Sequence, residues 1–201
     1  MDAVRVALLR EVLSGTEWPE ATRRFARALR ASVPPGCGGG LLLVGTEQYE
    51  PWHLAAHLMD EAAWSGLPEL TPTLVRHRVR TGDPAQLAVG LGRLEAAGRG
   101  ETLLLVAPAS PGAGLLQRVH DARRAGATVL TLDGGDPEVR GLAHESLTAN
   151  QSSAVDLDTV QHLVSAAAGE NNVSAPRGRR PFKERLARLA DRLTSPPPTG
   201  W

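Results

Sequence analysis

Cysteine is nearly absent from this sequence: Cys37 is the only one in 201 residues. A single cysteine excludes an intramolecular disulfide, and we expect Cys37 to be a tolerated thiol in a glycine-rich loop. Hydrophobic runs of the roughly 18 residues that a membrane span needs are also absent. The first residues lack the apolar core and small-residue cleavage site of a secretory signal. We therefore expect a cytoplasmic location and no membrane span.

A net charge is also missing, because 22 basic and 22 acidic residues cancel. The whole chain thus gives no electrostatic reason to expect a nucleic-acid partner. The charges are uneven, however, since residues 170–201 hold seven basic and three acidic side chains. That segment predicts a linker, a basic amphipathic helix over 182–193 and a proline-rich tail. Residues 181–194 are a candidate contact for a protein partner, another subunit or an anionic membrane, or they pack loosely on their own domain. Nucleic acid is less expected, because Phe182 is the single aromatic residue of that stretch, and aromatic residues are therefore not interleaved along it to stack on bases.

The clearest structural pattern spans residues 102–135. Residues 103–106 form a short apolar run without alternation, which is typical of a strand buried on both faces. Prolines and glycines fill 107–114, and apolar residues then recur at helical spacing over 115–125 until Gly126 ends the helix. Residues 128–132 are a second apolar strand. A strand, a helix and a strand within about thirty residues predict a right-handed βαβ unit.

The rest of the chain repeats this alternation. We predict one or two helices over 2–31, a strand over 41–44, a helix over 52–64, an edge-like strand over 73–79 and a helix over 83–97 that Asp83 caps. After the βαβ unit follow a short helix over 137–143, a short strand over 145–149 and a helix over 156–168. This order predicts an α/β fold, a three-layer α/β/α sandwich with a mostly parallel sheet of about five strands. We divide the chain into an N-terminal helical segment that packs on the core (1–35), an α/β domain (36–168) and a C-terminal extension (169–201).

Two stretches carry a resemblance to a known family. The end of the central helix and the next strand, Ala122-Arg-Arg-Ala-Gly-Ala-Thr-Val-Leu-Thr131, resemble the sugar isomerase (SIS) domain. The first strand and helix, with Gly45 and His53-Leu-Ala-Ala, resemble an earlier unit of that domain. The resemblance covers about residues 36–168 and identifies a divergent single-domain member. It implies a Rossmann-like sheet, a phosphosugar or other carbohydrate-derivative ligand, isomerase-type chemistry and a homodimer or higher homo-oligomer.

Two loops of this pattern are candidate ligand-binding segments. Ligands of open α/β sheets bind beyond the carboxyl ends of the strands, and a helix N-terminus attracts an anion. The ligand-binding residues that we expect are Ser110, Gly112, Ala113 and Gly114 from the second loop and, from the resemblance, Gly45, Thr46 and Gln48 from the first. The alternative is that Ser110 merely caps the following helix.

Two functions therefore remain open. The first is binding of a phosphorylated or anionic carbohydrate derivative, with a sugar-phosphate isomerase as its sharper form. The second is a degenerate SIS-like scaffold that acts as a non-enzymatic interaction or regulatory protein. Ser110 is the only hydroxyl-bearing residue in 107–114, which favours the scaffold, while Gly112 and Gly114 favour the binding protein.

Candidate acid–base residues are His53 and Glu47, since both lie close to the end of the first strand. His53, His57 and Glu61 share one helical face, and two imidazoles with a carboxylate can hold a metal ion. Such a site needs a further ligand, for which Gln161 or His162 is a candidate. Two solvated histidines explain the same spacing, so the sequence assigns no metal ligand and we expect no cofactor. Asp133 and Asp136, around two glycines, are expected to form a turn or to contact a sugar hydroxyl.

Overall fold

The computed structural model describes residues 3–35, 40–150 and 152–170. Cys37 lies outside the described residues. So do the predicted linker, the amphipathic helix over 182–193 and the proline-rich tail.

Five strands form a single sheet. They are β1 (Leu41–Val44), β2 (Pro72–Val75), β3 (Thr102–Ala107), β4 (Thr128–Asp133) and β5 (Glu145–Thr148). All pairings are parallel, in the order β2-β1-β3-β4-β5. β1 and β3 are buried along their whole length, as expected for strands that helices cover on both faces. The predicted parallel sheet of about five strands is confirmed.

Helices cover both faces of this sheet. They are α1 (Ala3–Val12), α2 (Trp18–Ser32), α3 (Trp52–Ser65), α4 (Ala113–Arg124), α5 (Pro137–Leu142) and α6 (Leu157–Gly169). α2, α3 and α6 share one apolar core with the sheet, and α4 and α5 share a second core on the opposite face. The architecture is therefore the predicted three-layer α/β/α sandwich. Among the helices of the described residues, none is long and apolar enough to cross a membrane.

The central βαβ unit is present as predicted. β3 and β4 pair in parallel, with Leu104 opposite Leu130, and α4 crosses between them. Gly126 has a φ of 101°, a left-handed conformation that ends the helix at little cost because glycine has no Cβ. Asp156 caps α6 by accepting a hydrogen bond of 2.7 Å from the Thr159 N–H.

The prediction of a helix over 83–97 is wrong. That segment holds two short 3-10 helices, Ala85–Leu87 and Leu91–Ala96, and β2 ends at Val75 instead of residue 79. The Arg76 N–H donates a hydrogen bond of 2.8 Å to the Val89 carbonyl, which holds the chain extended where a helix would have continued. Asp83 accepts hydrogen bonds from the Arg80 N–H and the Arg76 guanidinium, so it closes a turn and does not cap a helix.

Candidate functional site

The strand order places a topological switch point between β1 and β3. The chain leaves β1 for α3 and β2 on one side, and it leaves β3 for α4 and β4 on the other. α3 and α4 consequently lie on opposite faces of the sheet. In open α/β sheets the two diverging loops leave a crevice that is the usual ligand site. Both predicted ligand-binding loops flank this crevice.

The β1 loop, residues 45–51, folds tightly on itself. A Cβ on Gly45 would lie 1.8 Å from the Tyr49 carbonyl oxygen and 2.7 Å from Pro51 Cδ, so the loop's own backbone requires this glycine. The Tyr49 N–H donates a hydrogen bond of 3.1 Å to the Thr46 carbonyl. His77 Nε2 donates to the Gly45 carbonyl at 2.9 Å. Of the predicted ligand-binding residues, Gly45 and Thr46 are thus buried within the turn, and Gln48 is exposed.

Glu47, the predicted acid–base residue of this loop, lies in solvent. Its carboxylate accepts a hydrogen bond of 3.0 Å from the Arg78 guanidinium, and the two side chains are 57% and 80% exposed. Solvent screens such a pair, and its contribution to stability is small. Glu47 therefore lacks the burial that usually tunes a general acid or base.

The β3 loop, residues 108–112, leads into an open helix start. The N-cap of α4 is Gly112, with no side-chain cap, so the alternative that Ser110 caps this helix is wrong. A Cβ on Gly112 would meet no heavy atom of the described residues within 4 Å, and one on Gly114 would meet the Arg118 guanidinium at an ordinary 3.6 Å. Gly112, Ala113 and Gly114 are all exposed. Packing does not require these glycines, and the first N–H groups of a helix have no partner within the helix itself.

Ser110 has a partner on the neighbouring loop. Its hydroxyl donates a hydrogen bond to the Asp136 carboxylate, and this bond is the main reason that the pKa of Asp136 lies below its usual value. Asp136 also caps α5 by accepting hydrogen bonds from the Glu138 and Val139 N–H groups. A ligand that recruits the Ser110 hydroxyl must therefore compete with this carboxylate.

Asp133, at the end of β4, is fully buried. It accepts hydrogen bonds from the Gly135 N–H at 2.8 Å and from the Thr148 hydroxyl at 3.1 Å. Burial nevertheless raises the pKa of Asp133. Asp133 therefore forms the turn after β4, as the sequence predicts. Because it is fully buried, it cannot contact a sugar hydroxyl.

Three histidines contact one another between α3 and α6, on the face of the sheet opposite α4. His53 and His57 lie on successive turns of α3, and His162 approaches them from α6. The ring centroids are 4.4 Å apart for His53 and His57, 4.7 Å for His53 and His162, and 4.6 Å for His57 and His162. The expectation of two solvated histidines is wrong for His57, which is 8% exposed. Glu61 lies a turn further along α3, against Gly169.

Tyr49 connects the β1 loop to the helix that carries His162. Its hydroxyl donates a hydrogen bond of 2.9 Å to the Asp158 carboxylate and accepts one of 2.8 Å from Gln161 Nε2. Sequence reasoning did not identify this link, because the residues are more than a hundred positions apart. His162 is likewise more than a hundred positions from His53 and His57 in the sequence. The sequence therefore does not decide between Gln161 and His162 as the further metal ligand.

Comparisons with known proteins find similarity in structure and not in sequence. No family model matches the chain, and no curated protein does. The sugar isomerase domain of an RpiR transcription factor from Sphaerobacter thermophilus matches with a TM-score of 0.51 at 17% identity, over 88% of this chain and 93% of that one. The Vibrio vulnificus NanR protein, solved in complex with ManNAc-6P, gives 0.49 at 12% identity, over 96% of this chain and 73% of that one.

A Salmonella typhimurium LT2 protein with a suggested sugar-binding role gives a TM-score of 0.47 at 16% identity, over 82% of this chain. This chain covers 46% of that protein, less than half of its length. The Sphaerobacter domain, in contrast, is matched over nearly its whole length. Together with the parallel sheet and its two helical layers, this confirms the fold that the resemblance implied. The chain has the fold of a sugar isomerase (SIS) domain, in a divergent sequence.

Proposed function

We propose that the protein binds a phosphorylated or otherwise anionic carbohydrate derivative at the switch point between β1 and β3. The anionic group lies at the first turn of α4 and accepts hydrogen bonds from the N–H groups of Ala113 and Gly114. The open start of α4 carries this proposal, since Gly112 and Gly114 are exposed, uncapped and not required by packing. Glycines of this kind let an anion approach the backbone closely at a helix N-terminus.

Three further residues predicted from the sequence have separate roles in this proposal. Ser110 donates to the ligand if its hydroxyl leaves Asp136, so it tunes affinity. Gln48 is exposed in the β1 loop and carries an uncharged amide, so we assign it a hydrogen bond to a sugar hydroxyl. If the protein is an isomerase, His53 is the acid–base candidate that we favour over Glu47, whose carboxylate is already paired with Arg78.

One observation favours the second function, a scaffold without small-molecule chemistry. Asp136 holds the Ser110 hydroxyl and places a negative charge beside the open helix start. A carboxylate at this position opposes an anionic ligand. In this alternative the protein acts through its surfaces, and the homodimer and the partner contact of residues 181–194 stay predictions.

A binding experiment separates the two functions. Fructose 6-phosphate, inorganic phosphate and unphosphorylated fructose are titrated calorimetrically into the wild-type chain and into Gly114→Glu and Gly114→Gln. A carboxylate in the first turn stabilises a helix but repels an anion, so reduced binding in Gly114→Glu does not reflect poor folding. We expect the sugar phosphate to bind at least about tenfold more weakly to Gly114→Glu than to Gly114→Gln.

The scaffold alternative predicts a different outcome. Neither phosphate compound would then bind at millimolar concentration, and the three proteins would be indistinguishable. Equal affinities of Gly114→Glu and Gly114→Gln for the sugar phosphate would place the anion elsewhere.

A further inference from the structure

We propose that His53, His57 and His162 form a binding site for a divalent transition-metal ion of the zinc type, between α3 and α6. One ring nitrogen from each histidine lies within 4.8 Å of the other two. The three rings contact one another directly, with centroids 4.4 to 4.7 Å apart.

The geometry is close to that of a tetrahedral site. Zinc binds imidazole nitrogen at about 2.0–2.1 Å, so two nitrogens on one tetrahedral ion lie about 3.4 Å apart. The histidine nitrogens must therefore close by at most about 1.5 Å, a distance that small rotations of the side-chain torsions supply. His53 and His57 are at i and i+4 of α3, a spacing that puts two ligands on one helical face.

His57 supplies an independent reason to expect a ligand. Among the described residues, neither Nδ1 nor Nε2 of His57 has a hydrogen-bond partner, although the side chain is more than nine-tenths buried. A buried polar group without a partner costs about 1–3 kcal/mol, and such groups are rare in folded proteins. A metal ion satisfies one of these nitrogens directly, which removes part of that cost.

The chemistry of the three side chains narrows the choice of metal. Imidazole ligands suit Zn²⁺, Cu²⁺ and Ni²⁺, whereas Mg²⁺ and Ca²⁺ prefer oxygen.

The three histidines differ in exposure, so the cluster is open to solvent on one side. His53 is exposed, His162 is half-buried and His57 lies beneath them, so an ion enters past His53. Three protein ligands leave a fourth tetrahedral position for water or another ligand. This inference does not rest on the proposed sugar ligand, because the cluster lies on α3 and α6 and the anion on α4.

The test uses the full-length protein after removal of metals with a chelator. Zn²⁺ is titrated in competition with a chromophoric chelator, and Co²⁺ is added separately to record its visible absorption. The variants are His53→Gln, His57→Gln and His162→Gln. His120→Gln, which changes an exposed histidine on α4, is the matched control, and Cys37→Ser excludes the thiol as a ligand.

We expect one Zn²⁺ per chain and the intense absorption of tetrahedral Co²⁺ in the wild type, His120→Gln and Cys37→Ser. Each of the three histidine variants should bind Zn²⁺ at least about tenfold more weakly, since even outer-shell partners of zinc sites contribute that much. Unchanged affinity in His53→Gln, or equal loss in His120→Gln, would overturn the proposal. His53 is exposed, so its variant decides the question even if His57→Gln fails to fold.

Discussion

The two loops that flank the switch point differ in why they contain glycine. Gly45 in the β1 loop is required by that loop, because an added Cβ would lie 1.8 Å from the Tyr49 carbonyl oxygen. Gly112 and Gly114, beyond β3, have room for a side chain that the sequence does not use. The difference shows that glycines after two neighbouring strands can be required by packing in one loop and not in the other. In this protein the turn of the β1 loop requires its glycine, whereas the two glycines at the start of α4 are exposed and have free space beside them.

The largest effect on the free energy of unfolding is expected when Gly45 and Gly114 are each replaced by alanine. Gly45→Ala should lower the free energy of unfolding by about 2–3 kcal/mol, because the β1 loop must shift to accept the Cβ. Gly114→Ala should instead raise it by about 0.5–1 kcal/mol, since alanine is the better helix former. Urea denaturation of the two variants measures both values. Similar changes in both variants would break the comparison.

The next effect concerns the link from the β1 loop to α6. Tyr49→Phe removes a hydroxyl that donates to Asp158 and accepts from Gln161. We expect a loss of about 1 kcal/mol, as for a typical half-buried hydrogen bond. Urea denaturation of Tyr49→Phe beside the wild type measures it, and a stability equal to the wild type would show that the loop is held by its backbone alone.

A smaller effect, which depends on pH, is expected at Asp133 on the β4 side. Burial raises the pKa of Asp133, so the folded state holds this proton more tightly than the unfolded state does. Its contribution to stability is present below the unfolded pKa and is lost as pH rises through the folded pKa. Asp133→Asn removes this loss and can still accept the Gly135 hydrogen bond.

The variant should therefore gain stability relative to the wild type as pH rises from about 4, the ordinary pKa of Asp, toward 7. Thermal melting at several pH values measures the gain. A constant difference between the two proteins over this range would contradict the raised pKa.

The smallest effect is expected at the exposed Ser110. Ser110→Ala should change stability by about 0.5 kcal/mol or less, because water replaces the lost hydroxyl. The pKa of Asp136 should rise toward its ordinary value, since the Ser110 hydrogen bond is the main cause of its depression. Titration of the Asp136 carboxyl carbon by NMR measures this shift. In the wild type, the lowered pKa of Asp136 stabilises the folded protein at pH values above the unfolded pKa, and this stabilisation is lost as pH falls through the folded pKa. Ser110→Ala should therefore lose less stability than the wild type when the pH is lowered.

Local patterns were enough to predict most of the fold. The uninterrupted apolar runs of β1 and β3, Gly126 after α4 and Asp156 before α6 are signals within a few residues of the element that they mark. The segment over 83–97 was misjudged because the pairing of Arg76 with Val89 is a tertiary contact that overrides helical spacing.

The candidate site was harder to predict, because it depends on contacts between distant residues. The i, i+4 spacing of His53 and His57 is visible in the sequence, but the approach of His162 follows from the packing of α6 against α3. Likewise, Ser110 and Asp136 are 26 residues apart and meet because β3 and β4 are neighbours.

An NMR titration of the ¹⁵N-labelled protein with fructose 6-phosphate tests the central claim most directly. The account predicts that the largest amide shifts occur at Ala113, Gly114 and Leu115, and that the buried amides of Gly45 and Thr46 change little. Shifts centred on the β1 loop, or no shifts at millimolar ligand, would contradict an anion site at the start of α4.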